Sequence, residues 1–384
     1  MEDKVKIKKK KKSLRFFLII LVIVTVFLHI SKNSHSYNKN YLIETEFSKG
    51  IDPEADISLG MYGDKYVQCS KDGIKLMNFG GVAEWDKPYD MTHPELKIKY
   101  PYIVSADKGG NSIYILKEDG EVYNLKTKFP ILMYDINEKG ILTVVEENES
   151  EHFIGIYNNK GELLAKRTTY TQQDGIPIGI AINDTGEKIV TSYIDINGAE
   201  IVTKLTFFEF GSDGENYADK IVGSKHFTNS LIPKIKFIDE NNLVAIGDNL
   251  IIGYNVDTTP KETFEEELTN KIVSVDINSD FGFVVGYGEL NVGKESKLEN
   301  KVVLYNKLGK NIGQLDVGKK PEFIKSKENI TIIGYGRNYY GVDRKGKVKW
   351  LYEATRDVKD IRPLKNGKEY LMVYKNMIQI LKIN

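Results

Sequence analysis

The sequence predicts an all-β chain: a β-propeller of about eight four-stranded blades, preceded by one N-terminal transmembrane helix. Three observations carry this expectation. A short apolar strand recurs eight times between residues 66 and 374, turns rich in Gly, Asn and Asp separate the copies, and an uncharged apolar run follows a block of lysines at the N-terminus. The recurrence decides the fold class, because four strands per unit of about 40–50 residues is the spacing of a propeller blade.

The N-terminal element comes first in the chain. Residues 1–15 hold eight basic side chains (Lys4, Lys6, Lys8, Lys9, Lys10, Lys11, Lys12 and Arg15) against Glu2 and Asp3. Residues 16–28 carry no charge. A membrane span takes roughly 17–25 residues, so this run suffices if Arg15 and Lys32 reach toward the headgroups. The excess of basic residues places 1–13 in the cytoplasm as a basic tail, 14–31 in the bilayer as an anchor, and the remainder outside, at the cell membrane. A cleaved signal peptide is the rival reading, since it shares the basic start and apolar centre. Ser34-His35-Ser36 is a poor cleavage site and no lipobox cysteine follows, which favours the uncleaved anchor. Lysines 8–12 also have the composition of a lipid-recognising patch, although orienting the helix already explains their position. Residues 32–40 read as a polar linker, and 41–384 as the extracytoplasmic propeller.

Composition supports a folded β domain. Of 384 residues, 41% are hydrophobic and 28% charged, as in globular chains. The 23 Tyr and 16 Phe favour strands over helices. The single cysteine, Cys69, excludes an intrachain disulfide and a thiolate metal cluster. A domain of this size buries enough core without either. The formal charge of zero hides an asymmetry: beyond residue 15 there are 46 basic and 52 acidic residues, a net charge of −6. An acidic domain argues against broad nucleic-acid binding, which neutralises phosphates with cations.

The aligned strands begin at Tyr66, Tyr102, Ile141, Ile189, Leu243, Phe283, Thr331 and Tyr370, at steps of 36 to 54 residues. Each is continuously apolar, as for a strand covered on both faces. A strand ending in Asn or Asp and then Gly precedes the clearer copies, as at Asn137-Glu138-Lys139-Gly140 and Asn183-Asp184-Thr185-Gly186. Asx side chains bond the backbone two residues on, and Gly accepts positive φ. A third strand, a second turn (Asp119-Gly120, Lys160-Gly161, Leu308-Gly309, Lys345-Gly346) and a fourth strand complete each unit. The last unit, 357–384, supplies only three strands. Residues 41–47 are expected to be its missing outer strand, closing the ring and removing two open edges. Seven blades is the next count. A sandwich pair or a solenoid gives no reason for eight similar copies.

On these strands and Gly turns, the chain over residues 41–384 resembles the eight-bladed quinoprotein-like propellers. It is similar more closely to single-pass membrane proteins of Gram-positive bacteria that carry such a propeller as a domain of unknown function. The resemblance implies an envelope location. It implies no quinone cofactor: Asp184-Thr185-Gly186, the nearest fragment of the quinoprotein repeat motif, sits in the wrong hairpin with no Trp after it, and there are no vicinal cysteines. Tryptophans number two, and the Trp-Asp pair of WD40 repeats occurs once, at Trp85-Asp86.

Motifs with chemistry are few. Gly288-Glu289-Leu290-Asn291-Val292-Gly293-Lys294 has the spacing of a phosphate loop, but Glu295 stands where Ser or Thr holds magnesium. Strand patterns flank it on both sides, so no helix N-terminus binds an anion there. It reads as a long hairpin loop. His29, His35, His93, His152 and His226 are scattered, with no two at ligand spacing. Asp135, Asp239 and Asp276 recur at the ends of inner strands, where they either ring the channel for a cation or, the preferred reading, form turns. Tyr193, Tyr287, Tyr335 and Tyr374 share one register position and are expected to pack between blades. No catalytic, cofactor-binding or metal residue is assigned. The leading expectation is a membrane-anchored, non-enzymatic interaction scaffold for an envelope protein or cell-wall partner. The alternative is an enzyme or sensor with a small ligand or sugar in the axial channel.

Overall fold

A strand covered on both faces is apolar along its whole length, and the eight recurrent strands are of that kind. In the computed structural model they are the second strands of eight four-stranded antiparallel sheets. The structure describes residues 43–50, 57–198, 200–268, 270–288, 300–364 and 367–383. The expected tail, anchor and linker, 1–40, lie outside the described residues. Among the described residues no helix is long and apolar enough to cross a membrane.

Seven blades are built from consecutive strands, spanning residues 58–88, 94–126, 131–170, 176–228, 234–267, 271–316 and 323–353. The eighth takes Val358–Pro363, Glu369–Tyr374 and Met377–Ile383 from the C-terminus and Ile43–Gly50 from the N-terminus. The count is therefore eight. The closing strand runs antiparallel, from Ile43 opposite Ile383 to Gly50 opposite Met377, with a bulge between Thr45 and Phe47. Gln379 Nε2 donates to Thr45 Oγ1 at 2.5 Å across this pair.

Burial of the second strands is nearly complete: every residue of Tyr102–Asp107 and of Gly282–Gly288 is buried. Stacking against the neighbouring blade supplies the cover. Phe207 of the fourth blade meets Tyr254 of the fifth edge-on, ring centroids 5.1 Å apart, among Ala181, Leu205, Ile235 and Ile252. The closing seam is built alike, with Leu371, Val373, Ile378 and Ile380 against Leu59, Tyr66 and Met77. Each large aliphatic side chain in such a seam is worth about 2–5 kcal/mol when truncated to Ala.

The glycine of the outer turn has a second task beyond turning. Gly120, Gly161, Gly309 and Gly346 each face the outer strand of the preceding blade, at Trp85, Leu125, Phe264 and Gln314. Gly346 shows why nothing larger fits: φ is +75°, and an added Cβ would stand 2.5 Å from the Gln314 carbonyl oxygen. The uneven period also has a structural cause. The 54-residue step after Ile189 contains two 3₁₀ turns, Ser212–Asn216 and Ala218–Lys220, inserted between the outer strands of the fourth blade.

Candidate functional site

The first strand of each blade lines the axis, and neighbouring first strands pack side by side around much of the ring. Successive strand residues face opposite sides. In Pro94–Lys99, Lys234–Phe237 and Phe323–Lys327 the apolar positions Ile98, Ile235 and Ile324 enter the inter-blade cores. The alternate positions are Lys97 and Lys99, Lys234 and Lys236, Lys325 and Lys327. Lys271, Lys359 and Arg362 add further cations on the first strands of the sixth and eighth blades. Against these nine stand four acids, Glu95, Asp135, Asp276 and Asp360. The inner wall is cationic in a domain that is otherwise acidic.

Three of the acids are committed to the frame. Asp135 accepts from the Ile182 N–H of the next blade at 3.3 Å, and Asp276 from the Ser326 N–H of the next at 2.6 Å. Asp360 is held by Arg362 Nε at 2.7 Å and by the Ile361 N–H at 2.9 Å. The turn reading therefore holds only for Asp239, which accepts from the Asn242 N–H at 2.9 Å and pairs with Lys307 at 3.1 Å. Asp135 and Asp276 instead fasten one blade to the next. The turns after them are capped by Asn137 and Asn278, two residues further on.

The lysines differ in their partners. Lys97 donates to the Tyr134 carbonyl, lies 4.6 Å over the Tyr134 ring and stands 3.9 Å from Asp135. Lys234 donates to the Val275 carbonyl at 3.0 Å. Burial pushes the Lys236 ammonium below its ordinary value, and Lys99 pushes it the same way. Burial lowers Lys234 too, against the pull of Asp276. The Asp276 carboxyl is raised by burial, although the Ser326 N–H and the lysines around it favour its charged form.

Next to this group opens a cavity of about 1140 Å³, walled by the first, second, seventh and eighth blades. Lys71, Lys108, Lys325, Lys327, Lys359 and Arg362 line it, with Glu95 and Asp360 as its acids. Lys325 belongs to both groups, acting on Lys234 and lining the cavity.

The other candidate residues do not converge. His93 and His226 are exposed and far apart in the sequence, on different blades; His152 is buried, kept neutral by desolvation, 3.7 Å from Glu147. His29 and His35 lie outside the described residues, as do 289–295 of the phosphate-loop spacing. Among the described residues no three His, Cys, Asp or Glu side chains assemble as a metal site. Cys69 is buried beside Tyr89 and Ser105. Of the register tyrosines, Tyr374 packs between blades as expected, meeting Tyr352 of the seventh blade at 3.3 Å, hydroxyl to hydroxyl, whereas Tyr287 meets Tyr305 at 2.9 Å and Tyr335 meets Tyr340 at 2.5 Å within their own blades. The wall lysines went unassigned in the sequence, although Lys-x-Lys in three first strands is a visible signal.

Eight closed blades around a cationic wall define the class, a large propeller sealed by its own N-terminal strand. The chain belongs to a family of unknown function, DUF5711, which it matches over residues 34–383. No curated protein sequence matches it. Among solved structures it is similar to BamB from Moraxella catarrhalis, at 11% identity and a TM-score of 0.54 over 89% of this chain and 100% of that one. It is also similar to Sqt1 of Chaetomium thermophilum bound to the N-terminus of ribosomal protein L10, at 7% identity and a TM-score of 0.58 over 89% and 100%. A eukaryotic initiation factor gives 12% identity and 0.53 over 88% and 87%. At such identities the likeness is one of fold.

Proposed function

We propose that this protein is a membrane-anchored interaction scaffold of the cell envelope, with the N-terminus cytoplasmic and the propeller outside. The lysine block and the uncharged run 16–28 support the anchor and its orientation, which would also make bilayer lipid a partner of the helix. One observation carries the scaffold reading. Apolar side chains stand in solvent where the third and fourth blades meet: Tyr170 is 43% exposed, Ile196 59% and Ile201 52%. Ile196 and Ile201 bracket a hairpin turn whose Asn197 donates to the Gln172 carbonyl at 3.4 Å, so the loops are tied to each other. Apolar residues on a rigid frame, rimmed by polar ones, suit a protein partner. Sqt1, similar in fold, is solved holding a segment of another protein.

Two measurements test this. Protease added to wall-stripped cells should digest epitopes of the propeller while cytoplasmic markers survive; full protection contradicts the topology. Proximity labelling from the C-terminus in living cells should mark a defined set of envelope proteins, and Ile196→Asp with Ile201→Asp should remove the strongest. An unchanged labelling pattern in that variant removes the basis for the scaffold surface.

A further inference from the structure

We propose that the axial channel is a binding site for a multivalent phosphate anion. The first observation is placement: nine basic side chains face four acids on the inner strands, although the chain beyond residue 15 carries a net charge of −6. The second is that compensation is only partial, with Asp135 and Asp276 the acids acting on Lys236. Asp135, Asp276 and Asp360 are engaged as described, while the ammonium groups of Lys99, Lys236, Lys325 and Lys359 have no hydrogen-bond or ion-pair partner among the described residues. The third is the position of Lys236, half-buried on the first strand of the fifth blade, where Lys97 and Lys99 act on it alongside Asp135 and Asp276.

Enclosing cations beside one another is unfavourable, because each gives up hydration and gains repulsion. A fold retains such an arrangement where a ligand of opposite charge offsets it. The cations come from at least four blades and converge from different sides of the axis, so they suit a compact ion that offers oxygens in several directions. Lysine is a point charge suited to phosphate, whereas planar carboxylate recognition favours paired guanidinium groups. Only one arginine, Arg362, is on the inner strands, and its guanidinium already holds Asp360. A cavity of about 1140 Å³ exceeds the need of a single phosphate and fits a chain of them. This site is separate from the apolar loops of the scaffold reading, and either can fail without the other.

The test uses the full chain in non-ionic detergent at constant ionic strength. Calorimetric titrations with inorganic tripolyphosphate, a glycerol-phosphate oligomer, orthophosphate and citrate would be compared. Tripolyphosphate or the oligomer should bind at least tenfold more tightly than orthophosphate or citrate. Tighter tripolyphosphate assigns a free phosphate chain, and a tighter oligomer assigns a phosphodiester-linked one. Lys236→Met with Lys325→Met should weaken binding at least tenfold while the protein melts no lower than wild type. Lys75→Met, on an exposed outer pair with Asp86, should leave affinity unchanged. Equal affinity for citrate, no binding at millimolar concentration, or full affinity in the double variant overturns the proposal.

Discussion

Two parts of each blade obey opposite rules. At the seams, apolar faces meet apolar faces, and polar groups such as the Tyr305 hydroxyl with Glu266 at 3.0 Å, or Trp350 Nε1 with the Tyr370 hydroxyl at 2.8 Å, join one blade to the next. On the inner wall cations outnumber acids, and the ammonium groups of Lys99, Lys236, Lys325 and Lys359 have no hydrogen-bond or ion-pair partner among the described residues. The seams are what hold eight sheets in one ring, so their composition follows from stability alone. The wall does not follow from stability. A difference of that kind within one strand, where Ile98 and Lys99 are neighbours, separates residues kept for folding from residues kept for a ligand.

Breaking the closing seam should have the largest effect. Deleting residues 43–50 strips the outer strand from Met377–Ile383 and leaves an open edge. The expected outcome is aggregation or a large drop in melting temperature by scanning calorimetry. Deleting 32–40 should leave the melting curve unchanged, since a polar linker contributes nothing to the seams.

A smaller effect is expected at the outer turns. Gly346→Val combines a strained positive φ with the approach to Gln314, so about 2–4 kcal/mol of stability should be lost in denaturant unfolding. An effect below about 0.5 kcal/mol would show that the turn is not seated against the sixth blade.

The inner wall should respond with the opposite sign. Lys236→Met removes a half-buried charge whose lost hydration outweighs its attraction to Asp135 and Asp276, and should raise the melting temperature by roughly 1–3 °C, the shift that about 1 kcal/mol produces in a large domain. The advantage should also depend on pH. The folded ammonium titrates below the unfolded one, so between those values the unfolded chain binds more protons and wild-type stability gains as pH rises. The gap between variant and wild type should therefore narrow toward alkaline pH, with Lys97, Lys99, Asp135 and Asp276 as the other charges acting on the group. A gap that widens contradicts the placement of Lys236. Least of all should happen at Lys294→Ala, where stability and phosphate affinity are expected to stay within about 0.5 kcal/mol of wild type.

The repeat is legible in the sequence for a physical reason. Cover on both faces leaves strands such as Phe283-Val284-Val285 with no polar position, and that signature survives an uneven period. The closing strand is legible too, because the last unit is one strand short. The wall is concealed by the same alternation that builds it. Lys234-Ile235-Lys236 reads as an ordinary half-buried strand with its polar side in bulk water, and only ring closure turns that side inward toward Lys97 and Lys99. Asp135 and Asp276 were legible as inner-strand carboxylates, but their partners belong to the following blade, which no local pattern reveals.

The most direct measurement is the melting temperature of wild type and Lys236→Met, side by side, across a tripolyphosphate titration at fixed ionic strength. Without the anion the variant should melt higher. As the anion saturates the channel, wild type should gain stability that the variant does not, and the order should reverse. Parallel curves that never cross would contradict a wall held cationic for a phosphate ligand.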